Sequence, residues 1–156
     1  MPADNKIEHL KLVQATITRM AANSFLLKGW TVTLVAALFA FGAKEADRVF
    51  VVIAWVPVLV FAALDSFYLW QEKLFRALYD DVAQRPADGD PWNFTMDPRP
   101  FKATKRWRNA LKSGTIWGYY GPVALLLLAL TCYFALRPKE DAIPTAGPKT
   151  ITISIQ

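Results

Sequence analysis

Two charged residues stand within or beside long apolar stretches and are the first candidates for chemistry. Asp65 is the acid inside the apolar block Val49–Trp70, and Lys28 lies near the start of the block Phe25–Ala43. A charge carried into hydrocarbon costs about 3 kcal/mol even on lenient insertion scales, so such groups are paired, hydrated or functional. Two readings are open. Lys28 and Asp65 can pair near the inner interface and staple two helices together, or Asp65 can line an ion pathway as a gate. A second constellation is basic: Lys102, Lys105, Arg106, Arg108 and Lys112, with Phe101, Thr104, Trp107 and Leu111 at helical spacing on a less polar face. That pattern suits an in-plane amphipathic helix on anionic lipid. The same residue types also suit a stacked, phosphate-bearing ligand.

The usual catalytic signatures do not occur. His9 is the single histidine, expected on the surface of an N-terminal helix, and Cys132 is the single cysteine, expected as a small packing residue in an apolar block. There is no Gly-rich phosphate loop, nucleophile elbow or HExxH. The aspartates between Asp80 and Asp97 lack the spacing of a calcium loop. Enzymatic activity, a metal site and a bound cofactor are therefore not expected.

The elements that must position these residues are membrane spans. Hydrophobic residues make up 54% of the chain and gather in Phe25–Ala43, Val49–Trp70 and Ile116–Leu136. A helix needs roughly 20 apolar residues to cross about 30 Å of hydrocarbon. The spacing predicts spans at 24–43, 49–70 and 116–136. The first is not read as a signal peptide, because polar and amphipathic residues including Glu8 and His9 precede it and the second block follows directly after Lys44–Arg48. Lysine and arginine crowd the N-terminal segment and the loop between the second and third blocks, so both are expected inside, with the short turn and the C-terminal tail outside. The net charge of +5 is then largely a record of topology, and duplex nucleic acid is not an expected partner.

Two amphipathic stretches extend the first spans. Ile7, Leu10, Val13, Ile17 and Met20 recur at steps of three and four across 5–23, and Leu74, Leu78 and Val82 continue the second span through 71–84, where Pro86 ends the pattern. A hairpin centred near Ala46 pairs residues whose numbers sum to about 92. That register sets Leu10 by Val82, Val13 by Leu78, Ile17 by Leu74 and Lys28 by Asp65. The stretch 85–100 reads as an irregular loop, 101–113 as the basic amphipathic segment, and 137–156 as a tail ending in the strand-like TITISIQ at 150–156. Small residues mark helix-packing faces: Gly29 and Thr33 with Ala36 and Ala40 in the first span, and a GxxxG of Gly114 and Gly118 leading into the third. Pro57 and Pro122 predict kinks. The expected fold is an all-α membrane protein: three transmembrane helices, an extended cytosolic helical hairpin stalk and a short C-terminal strand.

NKIEHLKLVQATITRMAANSFLLKGW at Asn5–Trp30, DSFYLWQEKLFRALYDDV at Asp65–Val82 and NFTMDPRPF at Asn93–Phe101 resemble a family of small bacterial membrane proteins. Some of these are similar to membrane effectors of nucleotide-signalling anti-phage systems, such as the channel-forming partner of Hailong defence. The resemblance implies a homo-oligomeric inner-membrane channel and a nucleotide-type ligand or signalling protein as partner. It carries over no site residue. The expected function is thus an oligomeric, ion-conducting or permeabilising effector; the alternative is a non-conducting scaffold that recruits a partner through its cytosolic helices.

Overall fold

Between Pro2 and Glu45 nothing interrupts the backbone hydrogen-bond ladder, and the segment forms one helix, α1 (Pro2–Glu45). At 1.5 Å per residue it is about 66 Å long, roughly twice the hydrocarbon thickness of a bilayer. The computed structural model describes residues 2–45, 49–86 and 92–136. Next come α2 (Val49–Ile53) and α3 (Trp55–Gln84), broken at Ala54. Pro57 explains the break, since it has no N–H to give the Ile53 carbonyl. Beyond α3, a 3₁₀ turn (Arg99–Lys102) and a short helix, α4 (Trp107–Leu111), lead to α5 (Gly114–Leu136), which runs on through Pro122.

The end of α3 is set chemically. Arg85 is extended (φ −68°, ψ 141°), the conformation that a following proline imposes. Lys6 Nζ then donates to the carbonyls of Ala83 and Arg85, 2.8 Å each, satisfying acceptors where the helix dipole is negative.

Three helices are long and apolar enough to cross a membrane: Asp4–Gly42, Val49–Gln84 across the Ala54 break, and Gly114–Leu136. All regular structure among the described residues is helical. Packing falls into two clusters. Val35, Ala54, Val58, Ile116, Tyr120 and Leu127 join α1, α3 and α5 in the apolar part. Val13, Ile17, Leu78 and Val82 join the two extensions, with Leu10, Phe75, Tyr79, Trp92, Met96 and Phe101 against them. Outside these clusters the long helices expose Phe25, Leu26, Val32, Leu59, Leu125 and Leu126, surface that only lipid or another protein chain can cover favourably.

Four expectations differ from the structure. Cys132, expected as a packing residue, is exposed on α5. The basic segment 101–113 is not one amphipathic helix. Trp70 Nε1 donates to the Lys105 carbonyl at 2.5 Å, taking the acceptor that a continuous helix would offer to Asn109. Arg106 is extended instead, and Asn109 N–H bonds the Arg106 carbonyl at 3.0 Å. His9 is not a surface residue but completely buried. The small-residue faces make no close helix contact within the chain. Gly29, Thr33, Gly114 and Gly118 are exposed, and a Cβ added at any of those three glycines would meet nothing within 4 Å. Gly42 plays that part instead: its Cβ would lie 3.0 Å from Phe50 Cβ, so its absence lets α1 and α2 approach. The tail 137–156, with the expected strand at 150–156, lies outside the described residues.

Candidate functional site

The ion pair is built where α1, α3 and α5 meet. Lys28 Nζ lies 2.5 Å from Asp65 Oδ2, and the Asp65 side chain is fully buried while that of Lys28 retains 17% exposure. Ser24, one turn before Lys28 on α1, completes the group. Its hydroxyl donates to Asp65 Oδ1 and accepts from Lys28 Nζ at 2.9 Å. Both carboxylate oxygens are therefore hydrogen-bonded, the condition a buried charge must meet. Tyr119 of α5 donates its hydroxyl to the Lys28 carbonyl at 2.6 Å, and its ring centroid lies 5.9 Å from the ammonium. Thr31 and Ser66, buried on either side, bond the carbonyls of Leu27 and Ala62 one turn back. Sequence reasoning gave Lys28 and Asp65 but missed Ser24 and Tyr119. Ser24 had a signal, its i, i+4 relation to Lys28; Tyr119 had none, because the position of α5 is a tertiary fact.

The basic residues form a second group. Lys102 places its ammonium 5.6 Å from the Trp70 ring centroid, next to the Trp70–Lys105 hydrogen bond. Lys105, Arg106, Arg108 and Lys112 are exposed, as is Trp107 at 41%. Arg99, just before them, is instead held by Asp97, and that pairing keeps the Asp97 carboxyl below the usual carboxylate range. No family model, curated protein or solved structure matches the chain.

A third group surrounds His9. Its Nε2 donates to the Thr95 carbonyl at 3.0 Å, the Trp92 ring stands edge-on at 6.2 Å between centroids, and Phe94 lies at 5.5 Å. The segment from Trp92 is thereby strapped over the paired extensions. The sequence signal was present in Trp92, Phe94 and Met96, apolar residues that a polar loop would leave uncovered.

Proposed function

We propose that the protein is a homo-oligomeric effector of the bacterial inner membrane whose assembly conducts ions or permeabilises the bilayer. In this reading the α1–α3 extensions are a cytosolic stalk and the C-terminus is periplasmic, as the lysine and arginine distribution favours. A nucleotide-type ligand or a signalling protein on the cytosolic side would set its activity. The observation that carries the oligomer is the open space at Gly29, Gly114 and Gly118. Small faces left unused within a chain allow a second copy's helix to approach closely in lipid, where hydrophobicity gives no drive. A conduit would then form between copies, because Asp65 is enclosed within each one.

That enclosure also favours the second reading, a non-conducting scaffold whose stalk recruits a partner. Reconstitution of the purified chain in vesicles holding a potassium gradient separates them. Ion flux that rises with protein density beyond first order supports the conducting oligomer. Vesicles that stay tight, at densities where crosslinking shows oligomers, sink it and leave the scaffold.

A further inference from the structure

Outside the basic run, five cations of the described residues have an engaged partner, while Lys11, Arg19 and Lys73, spaced apart on α1 and α3, form no ion pair. Lys6 meets the Ala83 and Arg85 carbonyls, Lys28 meets Asp65, Arg76 meets Glu72, Arg85 meets Asp81 and Arg99 meets Asp97. The run from Lys102 to Lys112 differs in density, with five cations within eleven positions. Lys102, Lys105, Arg106, Arg108 and Lys112 are all exposed, and none forms an ion pair with a carboxylate among the described residues. Like charges so close repel one another, and an anionic counter-charge from outside relieves that repulsion.

Their position says which counter-charge. Trp70, at the end of the second apolar stretch, gives its N–H to Lys105 and its ring to Lys102, which fixes the run against α3 at the edge of the apolar surface. Ala110 of α4 is buried, anchoring the middle of the run, and the apolar α5 starts at Gly114. Half-exposed Trp107 lies in the same run, and aromatics of this kind favour the headgroup layer. The cations thus lie between the end of the apolar part of α3 and the start of the apolar α5.

We propose that this collar binds the phosphate-bearing headgroups of anionic phospholipids in the leaflet where α5 begins. Lysine and arginine bind the phosphate oxygens, and Trp107 inserts among the glycerol and upper acyl atoms. Acyl chains lie along the exposed apolar side of α5, which a soluble anion would not use. The proposal does not depend on whether the assembly conducts, so flux measurements leave it untouched.

The test uses the full chain in neutral detergent micelles titrated with phosphatidylglycerol or phosphatidylcholine, with bound lipid counted by native mass spectrometry. Phosphatidylglycerol is expected to bind and phosphatidylcholine not. One juxtamembrane cation contributes about fivefold in affinity, so Lys105→Gln/Arg106→Gln/Arg108→Gln should raise the half-saturating concentration about 100-fold. Arg106→Gln alone, about fivefold, decides the matter if the triple variant does not fold. Lys11→Gln/Arg19→Gln, which removes equal charge per site from the exposed side of α1, should leave binding unchanged. Equal binding of both lipids, wild-type affinity in the collar variants, or the same weakening per removed charge in the α1 variant overturns the proposal. Displacement of phosphatidylglycerol by millimolar inorganic phosphate also overturns it, by making the occupant a soluble anion.

Discussion

Lys28 bonds Asp65 of α3 through its ammonium at 2.5 Å and accepts the Tyr119 hydroxyl of α5 through its carbonyl at 2.6 Å. One residue of α1 thus ties both other long helices at a single level. Removing either charge leaves the other behind, but the two leftovers are not equivalent.

Lys28→Met is expected to destabilise the chain more than Asp65→Asn. The first strands a fully buried carboxylate with Ser24 alone, and breaking a buried pair in this way costs about 3–5 kcal/mol. The second leaves an ammonium that is already part-exposed and can extend toward headgroups, for a loss of about 1 kcal/mol. The exchange Lys28→Asp with Asp65→Lys should recover part of either loss. Unfolding in detergent reports these differences. Equal losses in the single variants would mean that the carboxylate has another partner, and altered single-channel current in Asp65→Asn at unchanged stability would favour the gate over the staple.

The paired extensions make a second prediction. Leu78 is buried against Val13, Ile17 and Val82, so Leu78→Ala should cost about 2–5 kcal/mol, whereas Leu12→Ala on the exposed side should cost little. In a Cys132→Ser background, cysteines replacing Leu10 and Val82 should crosslink within one chain. Crosslinks found only between chains would make the extensions an oligomer interface instead.

His9→Ala should free the strap. The variant loses the hydrogen bond to Thr95 and leaves Trp92 and Phe94 without the ring they pack on. Amide exchange across 92–101 should speed up, while exchange across the middle of α3 stays slow. Unchanged protection of 92–101 would show that Met96 and Phe101 hold the strap unaided.

Much of this architecture is readable from sequence because its causes are local or periodic. Apolar length marks the three long helices, Pro86 marks the end of α3, and a hairpin register near 92 places Val13 by Leu78 and Lys28 by Asp65, residues that the structure packs together. What was not legible depends on chain segments returning from a distance. Trp70 breaks the expected helix at Lys105 through a bond across 35 positions, and Thr95 buries His9 through one across 86. Nor does composition distinguish a glycine that relieves a clash, Gly42, from glycines facing open space. Only the neighbouring helix, through Phe50 at Gly42, decides that.

The lysine and arginine asymmetry predicts that the N-terminus and the collar share the cytoplasmic side. Reporter fusions after Leu136 should be active only when exported. Activity confined to the cytoplasm would invert the topology and place the α1–α3 extensions outside.

The glycines give the sharpest separation between fold and assembly. A Cβ added at Gly118 of α5 or at Gly29 of α1 meets no neighbour within 4 Å among the described residues, so a leucine at either position starts into open space. Such substitutions should leave the protomer as stable as wild type, or slightly more so, since glycine within a helix is about 1 kcal/mol worse than alanine. If copies associate through these faces, the same leucines hold the backbones apart and the oligomer dissociates. Gly42→Ala is the opposite control. Its Cβ would press to 3.0 Å on Phe50 and should weaken the protomer itself before it touches any oligomer. Detergent unfolding and chemical crosslinking on Gly29→Leu, Gly118→Leu and Gly42→Ala therefore move independently. Undiminished crosslinking in both leucine variants would remove these faces from the assembly and leave the exposed apolar flanks, Leu125 and Leu126 among them, to lipid alone.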